Sequence, residues 1–460
     1  MDTKSLLQNQ STRMTIKLIL IFILTFFLLI PQVLILDLIN DRQDINQQVT
    51  KEVASDWAGE QLVTGPVLVI PYYFKDENGK LNFNVKDNLI IFPDNLDING
   101  DLNTHTKYRS LYKVLLYGTQ LKISGKFTLP DLSEINLTPE MLDYNEAFIG
   151  TGISDMKGIK SKIDTKWNGQ NIKVSPGLNN IIFKYAYNTS SEDYYTYSQD
   201  HAQNSVRTGF SSKVVIDPTK TEYTFTYDID LNGSQSLLFS PIAKNTKVEV
   251  KSLFPDPSFT GDFLPEHVTN GQGFDAKWTI LEYNKNLPPY QKANNTIDVG
   301  TNIFGVKIAE AIDNYSKAYR AGKYMILFVI LTFLVVFLTE TVQKVNIHVF
   351  QYGLVGLALA IFFTLLLSIS EFWGYDFAYI VSAAATIGLI FLYSLGMFHH
   401  RKSSILLASL LIALFAYIYI IIQLEKTALL VGSVGLFVIL AATMYITRKI
   451  KWFEDEAKTE

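Results

Sequence analysis

The chain has 460 residues, 40 Lys and Arg against 44 Asp and Glu, and a net charge of -4, values that leave room for two or three domains and do not point to a nucleic-acid partner. It has no cysteine, which excludes disulfides, Cys-ligated zinc and a thiol nucleophile. Before Tyr324 it is rich in Asn, Asp, Thr and Tyr, and after it in Leu, Ile, Phe and Ala, so one half is watery and the other oily.

Residues 1–15 are polar, and an apolar run then extends through residues 16–36. The run is longer than a signal-peptide core and lacks a small-residue cleavage pattern after it, so it reads as an uncleaved membrane anchor. Pro31 within it is tolerable in a membrane helix. Ile35, Leu38, Ile45, Val49 and Val53 share a helical face, predicting that the span continues outward as an amphipathic stalk ending near Gly59. A matching stalk with Val306, Ala309, Ile312 and Tyr319 as its stripe is expected to lead back to the second span.

Between the stalks the pattern changes to alternation and β-branched or aromatic runs. Strands are predicted at residues 66–74, 88–92, 108–117, 120–129, 181–187, 222–231, 246–253 and 274–283. Asn78-Gly79, Asn99-Gly100, Asn168-Gly169 and Asn232-Gly233 read as turns between strands. The region is therefore expected to be β-rich, as one or two sandwiches. Residues 188–212, poor in aliphatics, read as a mobile insertion.

Five apolar runs follow at residues 324–341, 350–370, 375–398, 405–423 and 428–447, each near the roughly 20 residues that a membrane helix needs. Buried helices of a soluble protein would show a polar face, and these do not. The expected fold is an α-helical bundle of six transmembrane helices with a large β-rich, sandwich-like domain inserted between helix 1 and helix 2. Lys4, Arg13, Lys17, Lys344, Arg401, Lys402, Arg448, Lys449 and Lys451 all fall on one side when both termini are cytoplasmic. Residues 37–322 then form a periplasmic domain and residues 448–460 a cytoplasmic tail.

Catalytic motifs are missing. No His-Glu-x-x-His, nucleophile elbow, P-loop or dinucleotide fingerprint occurs. A Ser-x-x-Lys pattern at residues 154–157 recurs at 110–113 without a Lys-Thr-Gly partner and reads as chance. No cofactor is implied. Ionisable residues within spans are the usual pointers to function, and the centres of the last five spans carry none. Glu340 lies about one turn from a helix end, where with His348 and Gln351 it is a candidate polar cluster or an interfacial helix cap. Glu371 flanks an outer break. Ala384 with Gly388, Gly353 with Gly356, and Gly432 with Gly435 are expected to let helices approach closely. Residues 254–265 concentrate three prolines and three phenylalanines, and Pro257, Phe259, Phe263 and Pro265 are candidates for a rigid partner-binding loop, against the plainer reading of a loop plugging the β-domain.

Three stretches carry a family resemblance. They are Gly65-Pro66-Val67-Leu68-Val69-Ile70-Pro71-Tyr72, then Pro257-Ser258-Phe259-Thr260-Gly261-Asp262-Phe263-Leu264-Pro265, and Gly273-Phe274-Asp275-Ala276-Lys277-Trp278. With residues 320–371 from Arg320-Ala321-Gly322 to Ser370-Glu371, they resemble the CreD family of inner-membrane proteins. The resemblance implies a role in cell-envelope integrity and stress response, with colicin tolerance and the response to β-lactams, in some bacteria under a two-component system. It implies no catalytic residues. The expectation is a non-enzymatic protein that contacts membrane lipids and binds an envelope protein, lipid or peptidoglycan. The alternative is a transporter or lipid-handling protein using a groove with Glu340 and Glu371.

Overall fold

The computed structural model describes residues 10–185, 205–269, 271–299, 302–308, 314–343, 345–398, 400–424 and 427–448. Residues 1–9 of the polar start, most of the predicted insertion, Lys344, and the tail from residue 449 lie outside the described residues. The chain forms two compact units, one of residues 1–47 with 312–460 and one of residues 48–311.

The first unit is helical. α1 (Gln10–Phe27) and α2 (Leu29–Trp57) come from the first apolar run and its extension. Pro31 stands in the first turn of α2, where its missing N–H removes no helical hydrogen bond. After α3 (Asn314–Lys323) come α4 (Met325–Gln343), α5 (Val349–Trp373), α6 (Tyr375–Met397), α7 (Arg401–Gln423) and α8 (Ala428–Thr447). Six of the described helical segments are long and apolar enough to cross a membrane, the first being α1 and α2 together. Several overrun the expected ends because capping, not the nearest charge, stops a helix. Gly374, at φ 81°, separates α5 from α6, and its N–H closes on the Ser370 carbonyl at 3.1 Å.

Aromatic side chains join these helices. Phe328 of α4 and Phe362 of α5 both pack on Phe415 of α7, with ring centroids 4.6 and 4.8 Å apart. The Tyr379 hydroxyl of α6 donates to the Phe415 carbonyl at 2.8 Å. Only some of the expected small residues serve close approach. A Cβ at Gly356 would lie 2.3 Å from Leu28, and one at Gly435 1.9 Å from the Tyr417 hydroxyl. A Cβ at Gly388 or Gly432 would meet nothing within 4 Å, and Ala384 and Gly388 line an apolar groove between α6 and α7.

The second unit contains two large sheets and a three-stranded one. The nine-stranded sheet is built on strand Gln61–Lys75, buried from Gln61 to Tyr72, which pairs with Leu81–Ile91, Phe148–Ile153 and, in parallel, Ser236–Phe239. The eight-stranded sheet is centred on Asn95–Arg109, Tyr112–Thr128 and Glu222–Ser234. Trp278 of this sheet packs on Phe304 of the other at 5.5 Å, and Tyr227 on Phe210 at 5.4 Å, so the two sheets share one core.

Four expectations are corrected here. The predicted strands at 108–117 and 120–129 are one strand, Tyr112–Thr128, and the turn falls at Ser110, where φ is 57°. Asn168-Gly169 and Asn78-Gly79 do turn, but Asn99-Gly100 and Asn232-Gly233 lie inside strands. In those two pairs glycine makes room: a Cβ would lie 2.9 Å from Leu121 at Gly100 and 2.3 Å from the Tyr117 hydroxyl at Gly233. Val306, expected on a helical stalk, is in strand Phe304–Lys307 between Ser236–Phe239 and Ser258–Gly261. Ala309 and Ile312 of that stripe lie outside the described residues. On α2, Leu38 and Ile45 are exposed while Ile35, Ile39 and Ala54 are buried, so the covered face is rotated from the expected one.

Candidate functional site

Within the helical unit the structure separates the expected polar residues into two places. Glu340, in the last turn of α4, is only 8% exposed. Its carboxylate accepts hydrogen bonds from the Tyr352 hydroxyl at 2.7 Å and the Ile347 N–H at 3.3 Å. It also pairs with the Lys17 ammonium of α1, which donates in addition to the Ile347 carbonyl. Lys17 stands 5.8 Å from the centre of the Tyr352 ring. A buried carboxylate is tolerable only when its lone pairs are filled, and here three donors fill them.

His348 and Gln351 do not join Glu340. They form a reciprocal cap at the start of α5: His348 Nδ1 accepts from the Phe350 N–H at 3.2 Å, and the Gln351 side-chain oxygen accepts from the His348 N–H at 3.0 Å. The cluster expected from spacing is thus a cap next to a separate ion pair. In the sequence Lys17 reads only as a flanking charge and Tyr352 carries no signal of a role, although both complete the site.

Glu371 lies at the other end of α5. The Tyr315 hydroxyl of α3 donates to it at 3.3 Å and the Arg42 guanidinium of α2 stands 3.8 Å away. Asn314 bridges the α5–α6 corner, accepting from the Tyr375 N–H at 3.2 Å. From Tyr352 to Glu371, α5 rises about 28 Å, close to the roughly 30 Å thickness of a bilayer core. Glu340 and Glu371 therefore do not line one groove. The first helix pair runs beside α5 in the same direction, with Lys17 near Ile347, Leu28 against Gly356 and Arg42 near Glu371.

In the β-rich unit the Pro- and Phe-rich loop links the sheets. Its strand Ser258–Gly261 pairs with Phe304–Lys307 of one sheet, and Glu266–Thr269 pairs with Phe274–Ile280 of the other. Phe259 packs edge-on against Phe274 and Trp278 at 5.9 and 5.8 Å, and Phe263 against Phe304 at 6.1 Å. The Trp278 indole N–H donates to the Phe263 carbonyl at 3.1 Å. Pro265 is buried and Pro257 half-buried. The aromatic rings of the loop thus face its own core, while Leu253, Leu264 and Val268 stand 82%, 82% and 69% exposed. Leu253 and Val268 border a cleft of about 630 Å³ whose walls include Asp101, Asn103, Gln120, Lys251 and Asp275.

The Ser and Lys of the Ser-x-x-Lys pattern at residues 154–157 have structural partners. The Ser154 hydroxyl donates to the Glu60 carbonyl at 2.7 Å and accepts from the Leu62 N–H, while the Lys157 ammonium donates to the Ser55 carbonyl at 3.0 Å. The Ser-x-x-Lys residues therefore engage different backbone groups. Burial and the neighbouring Asp87 push the Tyr72 phenol up to about 12. Burial lowers the Lys285 ammonium to about 8, where it donates to the carbonyls of Pro241 and Ala243. Among the described residues no group of three His, Asp or Glu is placed to hold a metal.

Apolar helices on either side of a β-rich insertion, with carboxylates paired at both ends of one span, define a multi-span membrane protein. The profile of the family described as "Inner membrane protein CreD" matches residues 13–453, and the chain belongs to that family. It is 28% identical to the inner membrane protein CreD of Escherichia coli (strain K12) over 447 residues, 95% of this chain and 93% of that protein. Among solved structures, an M1 zinc metallopeptidase from Deinococcus radiodurans bound to a Tyr-Ser-Ala substrate aligns over 47% of this chain and 42% of its own. At 10% identity and a TM-score of 0.19, that likeness carries no argument.

Proposed function

We propose that the chain is a non-enzymatic envelope-integrity protein whose β-rich unit engages an envelope component while its helices, packed as a bundle, hold it in the inner membrane. In this reading both termini are cytoplasmic and residues 37–322 are periplasmic, as the distribution of Lys and Arg favours. The observation that carries it is the cleft beside the Pro- and Phe-rich loop. Carboxylates, amides and one ammonium line it together with the exposed Leu253 and Val268. Hydrogen-bonding groups next to an apolar rim suit a glycan or peptide of the cell wall better than a lipid chain. Phe259 and Phe263 act as the rigid backing of this surface, with Pro257 and Pro265 fixing the loop.

The transporter reading is less well supported, because Glu340 is already filled by donors and Glu371 lies a membrane thickness away. The test is photocrosslinking in cells under envelope stress from positions 253 and 268, with the adducts identified by mass spectrometry. A recurrent glycan or protein adduct from both positions is the expected result. Crosslinks confined to the chain itself would remove the cleft as a binding surface.

A further inference from the structure

A second groove lies among α4, α7 and α8. α8 meets α7 through Tyr417, whose hydroxyl lies 3.1 Å from each of the carbonyls of Val431 and Gly432 and whose ring fills the space beside Gly435. On one side of this strut the three helices enclose an apolar groove of about 690 Å³. It runs from Leu331 and Tyr417 to Gln343, Leu406 and Thr443, and the latter end, nearest the helix termini, is its mouth. At the helical rise, Leu331 to Gln343 is about 18 Å, comparable with the roughly 15 Å of one leaflet of a bilayer core.

The mouth has a different chemistry. The Gln343 amide N–H donates to Ser403, while its side-chain oxygen is buried without a donor among the described residues. Arg401 and Lys402 open α7, and Arg448 follows α8 with its guanidinium over the Tyr445 ring at 4.7 Å. All three cations are exposed, and among the described residues none has an acidic partner. Three cations and an unmet acceptor thus stand at the helix-terminal end of an apolar slot one leaflet deep.

We propose that this groove holds one acyl chain of an anionic phospholipid, with the lipid phosphate held by Arg401, Lys402 and Arg448. Water is excluded because a slot with these walls offers it almost no partners. The cations select the anionic class, since each basic group near the membrane surface favours such a headgroup. The assignment does not depend on which side of the membrane the mouth faces, nor on the function proposed for the β-rich unit.

The full-length chain, purified in detergent, is titrated with phosphatidylglycerol or with phosphatidylcholine of the same chain length, and retained lipid is read by native mass spectrometry. One phosphatidylglycerol is expected to be retained at least about tenfold more tightly than phosphatidylcholine. Ala413→Phe and Ala442→Phe fill the groove from opposite walls, and both side chains point into open space, so each is expected to reduce retention of both lipids about tenfold with thermal stability unchanged. Replacing Arg401, Lys402 and Arg448 together by Gln is expected to bring phosphatidylglycerol down to the phosphatidylcholine level. Unchanged retention in both filled-groove variants, or equal retention of the two lipids by the unaltered chain, would overturn the assignment.

Discussion

Glu340 and Glu371 are both carboxylates at the end of an apolar helix, yet their surroundings differ. Glu340 is enclosed by Tyr352, the Ile347 N–H and Lys17, while Glu371 has Tyr315 at 3.3 Å and a half-exposed Arg42 at 3.8 Å. A buried charge depends on each of its partners, because losing one leaves the other without solvent to replace it. The Glu371 carboxylate is as covered as that of Glu340, but its Arg42 partner is half-exposed and 3.8 Å away, so it depends on that partner much less. The same residue type therefore reports a structural lock at one end of α5 and an adjustable contact at the other.

The largest expected effect comes from breaking the lock on one side only. Lys17→Met should destabilise the helical unit by about 3–5 kcal/mol, while Lys17→Met with Glu340→Met should recover most of that loss. Thermal denaturation of the full-length chain in detergent measures both, and an equal loss in the single and double variants would show that Glu340 is not held by charge. Next, Gly356→Ala drives a methyl into Leu28, with an expected cost of about 1–3 kcal/mol, whereas Gly388→Ala should be neutral in the same assay. Equal effects would mean that the first helix does not press on α5 at this point. At the other end, Glu371→Gln keeps an acceptor for the Tyr315 hydroxyl and loses only the long contact with half-exposed Arg42, so it should cost less than about 1 kcal/mol. A loss as large as that of Lys17→Met would erase the distinction between the two ends.

A pH dependence in the β-rich unit gives a contrast outside the helices. Lys285 has a folded-state pKa lowered to about 8. Between there and its ordinary value the unfolded chain binds the extra proton, so stability should rise with pH through that window. Tyr72, raised to about 12, works in the opposite direction above about pH 10, where the unfolded phenol ionises first and stability falls. Melting of the full-length chain, followed by the β-sheet signal from pH 7 to 11, should show the first slope, and Lys285→Met should remove it. A slope unchanged in that variant would assign it to other groups.

The apolar runs alone were enough to read six membrane-length helices, because length and unbroken hydrophobicity are local properties and the bilayer requires them. The β-rich character of residues between the first and second helices was readable for the same reason, as alternation along each strand. What the sequence could not assign were choices between distant partners. Asn168-Gly169 turns while Asn232-Gly233 continues a strand, because Tyr117 occupies the space beside Gly233 and the strand pairs through it. The chain leaves Phe259 and Phe263 open between a partner platform and a plug of the β-domain, and pairing with Phe304–Lys307 turns their rings toward Trp278 and Phe304.

The charged residues follow the same division. Their positions at span ends were evident from the chain, since a charge in hydrocarbon is costly wherever it occurs. Their roles were set by the tertiary structure, which brings Lys17 to a carboxylate 323 residues away and leaves His348 and Gln351 to cap a helix. Hydrophobicity acts on each segment by itself, and so the sequence alone determined which segments of this protein are long and apolar enough to cross a membrane. Pairing energy exists only between groups that folding has brought together, and so only the packed helices and sheets decided which of its polar residues are locks, caps or open surface.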